Sequence, residues 1–157
     1  MSKTSRDQVV AGAQLPDRPW EGLPAGTAEV LRREASDLAP RITEAIRDGV
    51  AAYARPLTGA FGEQFLTGVQ SALDQFAGLV EQPHGDALPS RELYRALGAA
   101  EARAGRSLEA LLAAYRIGAR VAWRHVARVA REAGLEADTL ALLAESIFAY
   151  IDELSAQ

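Results

Sequence analysis

From Ser107 to Gly134 the chain reads SLEALLAAYRIGARVAWRHVARVAREAG, with no proline and with apolar residues at helical spacing. Leu108, Leu111, Leu112, Tyr115, Ala119, Ala122, Val126 and Val129 form one strip. Ala110, Ala114, Ile117 and Val121 form a second strip off that face. A surface helix needs only one apolar stripe, so two strips predict a central helix covered on two sides. Ser107 suits the N-cap, because its hydroxyl accepts from free N–H groups of the first turn. Gly134 suits the left-handed residue that follows a helix end. A chain with such a rod must lay its other helices against it.

Two details of the rod carry further. Ala114, Gly118 and Ala122 fall four apart and make a ridge of small residues. A glycine inside a helix costs ~1 kcal/mol against alanine, and close approach of a crossing helix would offset that loss. Meshed ridges at this spacing favour the steep crossings of globin-like folds. Arg116, Arg120, Arg124 and Arg128 make a ladder of cations at the same spacing, which leaves a basic edge beside the apolar strips.

The remaining segments read as further helices. Met1 to about Arg18 is polar and aperiodic, and residues 1–22 are expected to be a disordered leader. Trp20 and Leu23 are either anchors that dock the leader's end or, more simply, residues covering a helix end. Pro24 fits a first-turn position, and Leu31, Leu38, Ile42, Ile46 and Tyr53 mark a buried side. Pro40 disfavours helix at Ala39, so a break is expected between a helix over 24–36 and one over 39–54, which Arg55-Pro56 ends. Another helix is expected over 59–81, with a core stripe of Phe61, Phe65, Val69, Leu73, Phe76 and Val80. Ser90 caps the next, to about Ala104, with Tyr94, Leu97, Ala100 and Ala104 inward. The last runs over 138–155, with Leu140, Leu143, Ile147, Phe148, Ile151 and Leu154 inward and Glu145, Asp152 and Glu153 outward. Sustained period-two alternation is missing, so strands are not expected. The expected fold is all-α: one domain of five or six helices, a globin-like, non-haem bundle around one long central helix.

Composition narrows the chemistry. The net charge of -4 argues against a nucleic-acid surface, whose footprint is basic. There is no cysteine, which removes disulfides, thiolate metal sites and thiol catalysis. Neither a run of about 18 apolar residues nor a signal-peptide core occurs, and a cytoplasmic protein without a membrane span is the simple reading. His84 stands in a Gly/Pro loop and reads as solvated. His125 stands at the border of an apolar face and reads as a packing residue with its polar tip wet. The sharper alternative, an axial haem ligand, lacks a clear proximal and distal pair. His-x-x-x-His and Glu-x-x-His pairs are both missing, so no metal site, cofactor or catalytic group is expected.

The ladder has two readings. It is a solvated edge, or pairs with acids of a neighbouring helix such as Glu145 or Asp152. Alternatively Arg116, Arg120 and Arg124 bind an anion or a partner's acidic surface. A small-ligand pocket is expected under Tyr115, Gly118 and Trp123, where small residues leave room beside aromatics.

Together these residues carry a resemblance. Leu93-Tyr94-Arg95-Ala96-Leu97-Gly98, Glu101 through Leu108, Leu111 through Arg120 and Trp123-Arg124 resemble the RsbRD-type N-terminal domain found at the front of PucR/CdaR-like transcriptional regulators. Tyr53-Ala54-Arg55-Pro56-Leu57 and Ile147 through Asp152 match the same pattern. The resemblance covers about Leu23 to Gln157, taken as the regulatory domain, 23–157. It implies a helical, non-enzymatic signal-input or dimerisation module, related to the non-haem globin domains of stressosome proteins. In such regulators a middle domain and a helix-turn-helix follow. This segment is therefore expected to be either the front of a longer regulator or a stand-alone relative, without direct nucleic-acid contact. A homodimer is expected, with Ile117 and Val121 as interface candidates, and a regulatory protein as a further partner. The competing expectation is a stand-alone sensor of globin-like fold that binds a small ligand or haem.

Overall fold

The computed structural model describes residues 18–54, 59–85 and 91–156. Five α-helices follow in order: α1 (Thr27–Gly49), α2 (Gly59–Glu81), α3 (Arg91–Arg103), α4 (Leu108–Glu132) and α5 (Ala137–Ser155). Short 3-10 turns at Pro19–Gly22 and Ala51–Tyr53 bracket α1. No strand occurs among the described residues, which bears out the all-α class. Among them, no helix is long and apolar enough to cross a membrane.

The rod behaves as its caps require. The Ser107 hydroxyl accepts from the Ala110 N–H at 3.2 Å. At the other end Gly134 has a φ of 76°. The Leu135 N–H then donates to the Ala130 carbonyl and the Gly134 N–H to that of Arg131, both at 3.0 Å, a Schellman closure. α4 packs against α1 on one side and α5 on another, as its two strips demand. A β-carbon at Gly118 would stand 3.4 Å from Ile42 Cγ2, so the crossing partner of the small ridge is α1. Leu108 fails to join its strip and is exposed, because it opens the helix beyond the reach of α1.

α1 is one helix, not the two expected around Pro40. Proline inside a helix costs ~3 kcal/mol through its missing N–H and its ring. Against this, Leu38, Ala39, Ile42 and Ile46 are all buried around it, and each large side chain returns ~1.5–3 kcal/mol. The ring itself points to solvent, so tertiary packing on α2 and α4 carries the helix through. α1 ends at Gly49 rather than at residue 54, because Val50 is extended at φ -128°. The turn that follows buries Tyr53. Pro24 lies ahead of α1, its carbonyl accepting from the Thr27 N–H at 3.0 Å.

α2 has the expected bounds, and the Arg32–Glu81 ion pair at 2.6 Å sets its last turn beside the first turns of α1. The two helices are thus antiparallel. Its stripe is only partly closed: Phe76 and Val80 are buried, whereas Phe61, Phe65, Val69 and Leu73 are half-buried. In α5, Leu143, Ile147 and Leu154 are buried as expected, with Tyr150 joining them. Phe148 is 57% exposed instead, since the residue after Ile147 is turned by more than a quarter of a revolution. Of the residues assigned to the leader, Pro19–Gly22 form a turn packed on α5 with Trp20 buried. Residues 1–17, Arg55-Pro56, Ser90 and the side chains of Tyr94 and Leu97 lie outside the described residues.

Candidate functional site

α1 supports α2 on one side and α4 on the other, and a cavity of about 390 Å3 lies between the two. Residues on both facing helices explain the space. α4 contributes Ala114, Gly118, Ala119 and Ala122, and α2 contributes Gly68 and Ala72. Small side chains set opposite one another do not meet, and the half-buried Phe65, Val69 and Leu73 of α2 become walls instead of core. Leu38, Ile42 and Ile46 of α1 form the floor, and Ile147, Ile151 and Leu154 of α5 close the far side.

The two ends of this cavity differ. At one, Tyr150 of α5 crosses to α2, its hydroxyl donating to the Ala72 carbonyl at 3.1 Å and its ring 5.3 Å from that of Phe76. At the other stands a polar cluster of Tyr53, Glu101 and Arg106. The Tyr53 hydroxyl donates to Glu101 Oε2 at 2.7 Å. Arg106 donates to the same carboxylate twice, Nε to Oε2 at 2.5 Å and Nη2 to Oε1 at 3.0 Å. The guanidinium also lies 5.0 Å from the Tyr53 ring centre and 5.3 Å from that of Phe61. Phe65 stacks on Tyr53 at 5.2 Å and completes the aromatic lining.

Local backbone geometry builds the cluster. Gly105 has a φ of 72°, and the Arg106 N–H donates back to the Glu101 carbonyl at 3.0 Å. The chain therefore doubles back after α3 and sets Arg106 beside Glu101. Burial pushes the Glu101 carboxyl up, but hydrogen bonds from Arg106 and Tyr53 and the Arg106 charge bring it below the ordinary carboxylate value. Burial raises the Tyr53 hydroxyl, and its hydrogen bond to Glu101 raises it further. Burial also raises that of Tyr115, helped by the Glu101 charge. Both phenols therefore stay protonated and keep their hydroxyl hydrogens for donation.

A family model, the PucR-like N-terminal domain, matches residues 20–157. The chain belongs to that family. No curated protein and no solved structure matches the chain. For this PucR-like domain the family match bears out the resemblance to the front end of such regulators, and it reaches back to the buried Trp20.

The expected site residues are distributed unevenly. Tyr115 and Gly118 of the PucR-like domain line the cavity, whereas Trp123 does not. Trp123 packs half-buried against the core elsewhere on α4. Arg116, Arg120 and Arg124 are exposed on the outer face of α4. None forms an ion pair with a described residue, so the expected pairing with Glu145 or Asp152 is not seen; Arg128 pairs with Glu132 of its own helix at 3.2 Å. Ile117 and Val121 are half-buried against the core, and Ile117 Cδ1 occupies the notch at Gly49. His125 is buried rather than wet at its tip, its Nε2 lying 2.8 Å from Glu34 Oε2. Neither histidine lines the cavity, so a haem placed there would find no imidazole ligand. The polar cluster went unassigned in the sequence, although Glu101 and Arg106 on either side of Gly105 carry a trace of it.

Proposed function

We propose that this PucR-like domain is a non-catalytic input domain of a transcriptional regulator, and that a small, largely apolar molecule in the α2–α4 cavity is its signal. The observation that carries this reading is the cavity itself, about 390 Å3 and lined by residues of all five helices with a few convergent polar groups. The regulator's DNA contacts belong outside this segment, which is acidic overall. The setting is a cytoplasmic one, consistent with a regulator of transcription. Occupancy joins α2 to α4, which otherwise meet mainly through α1, so a ligand changes how tightly the bundle closes. A library of metabolites screened by thermal melting tests the reading against a variant with a filled cavity. Gly68→Leu is suited to this, because a β-carbon there meets no atom within 4 Å. Hits should stabilise the parent protein and leave Gly68→Leu unmoved. A library without hits, or hits that stabilise both proteins equally, would sink the reading.

Self-association is a second reading, favoured by a separate observation. α4 presents Arg116, Arg120 and Arg124 outward without ion-pair partners among the described residues. The outer face of α5 presents Glu145 and Asp152 beside the exposed Phe148. Turned against a second copy about a two-fold axis, the basic face meets the acidic one twice. Light scattering on the eluting protein over a range of concentrations tests this, and a monomer throughout would overturn it.

A further inference from the structure

The polar end of the cavity says which ligand chemistry fits, an inference that rests on the cavity reading above. We propose that the site takes an amphiphile with an uncharged, hydrogen-bonding head, the head at Arg106 and Tyr115 and the apolar body along α1 toward Tyr150. Three observations support it.

The first is charge. Arg106 is the cationic side chain lining the cavity and Glu101 the anionic one, and each holds the other through two hydrogen bonds. A carboxylate or phosphate head would gain Arg106 only by standing against Glu101. An ammonium head would meet Glu101 only against Arg106. Both ions also leave water on entry, and neither finds a free counter-charge to offset that cost.

The second is the supply of donors. Both Glu101 oxygens already accept, and the Tyr53 hydroxyl is committed to one of them. The Tyr115 hydroxyl makes no hydrogen bond to a described residue, and a guanidinium has five N–H groups, of which Glu101 takes two. What remains is a surplus of donors, suited to a hydroxyl, ester or ketone oxygen. Gln64 lines the same end and can accept from a hydroxyl head.

The third is the body. Between the cluster and Tyr150 the walls are Leu, Ile, Val, Phe, Ala and Gly. Such a channel rewards apolar surface along its length and offers a second polar group only the Tyr150 hydroxyl, which donates to Ala72.

The test compares decanol, decanoate and decylammonium, each below its micellar concentration, by calorimetric titration into the purified domain. Decanol should bind at least about tenfold tighter than either ion, a difference of about 1.4 kcal/mol. In Glu101→Gln the uncompensated Arg106 should reverse the order, with decanoate now ahead of decanol. Gly68→Leu should lose all three. A preference of the parent protein for either ion, or equal binding of all three, overturns the head-group assignment and leaves the cavity reading standing. Failure of all three ligands to bind overturns it as well, and the metabolite screen then decides separately whether the cavity takes anything. The parent ranking is decisive even should Glu101→Gln fail to fold.

Discussion

His125 Nε2 lies 2.8 Å from Glu34 Oε2 and ties α4 to α1. The imidazole side chain is 5% exposed and the carboxylate 18%. The other ring nitrogen, Nδ1, is buried without a hydrogen-bond partner. Removing Glu34 therefore leaves a buried ring with neither nitrogen satisfied. Glu34→Ala should lower the unfolding free energy by about 2 kcal/mol, the usual cost of breaking a hydrogen bond to a charged group. Urea denaturation of both proteins at neutral pH measures it. An unchanged midpoint would mean that the contact adds nothing to the seam.

The same pair gives stability a pH dependence. The His125 hydrogen bond holds the Glu34 carboxyl below its ordinary value of 4.5; burial opposes this, and the charges of His125 and Arg33 add to it. A carboxyl with a lower pKa folded than unfolded binds fewer protons in the native state, so its contribution is present above the unfolded value. It is lost as pH falls through the folded value. Denaturation midpoints of the parent should fall on acidification below pH 4.5 more steeply than those of Glu34→Gln. Parallel curves would contradict this.

Two glycines of the rod should respond in opposite ways to alanine. At Gly118 the added β-carbon makes an ordinary contact, 3.4 Å from Ile42 Cγ2. Helix propensity then dominates, and Gly118→Ala should be neutral or stabilising by up to ~1 kcal/mol. Gly134 has its φ at 76°, where a side chain costs about 1–2 kcal/mol. Gly134→Ala should therefore destabilise by that amount. Thermal melts followed by circular dichroism separate the two signs.

How far the sequence foretold these features depended on how local their causes are. Ser107, Gly134 and the apolar strips act within one helix, and each is readable from its neighbours. Pro40 misled because its effect is local, while the forces that carry α1 past it come from α2 and α4. The small residues Ala114, Gly118 and Ala122 announced a close crossing, and α1 supplies it at Ile42. That Gly68 and Ala72 of α2 face the same ridge and leave a cavity depends on how helices are placed, which periodicity does not encode. Long-range pairs were silent for the same reason. Glu34 and His125 are 91 residues apart, and Tyr53 and Glu101 are 48 apart. Only Glu101 and Arg106, joined across one glycine corner, left a local trace.

Trp20 anchors the turn that precedes α1. Its side chain is 1% exposed, in a turn that packs on α5. Trp20→Ala should cost about 3–5 kcal/mol, as for large aromatic residues removed from a core. A protein started at Pro24 should lose as much, whereas one started at Arg18 should keep that anchor. Urea denaturation of the two truncations decides. Equal stability would show that the turn only rests on α5.

Charge reversal on α4 tests self-association most directly. Arg120 is the middle member of the exposed trio on that helix, which has no ion-pair partner among the described residues. In the symmetric pairing each Arg120 faces the acids of the other copy's α5, and the contact occurs twice. Arg120→Glu should then raise the dimer dissociation constant by more than about tenfold, since two attractions become two repulsions. Raising salt should weaken the parent dimer too, because screening at 0.1 M acts over about 10 Å, and it should help the mutant. Restoring opposite signs with Glu145→Arg should recover dimer in the double mutant. A single substitution that alters surface charge in general would show no such rescue. Sedimentation velocity on the four proteins, parent, two singles and double, reads all of this. Rescue in the double mutant supports the α4–α5 pairing, and its absence places any dimer on another face.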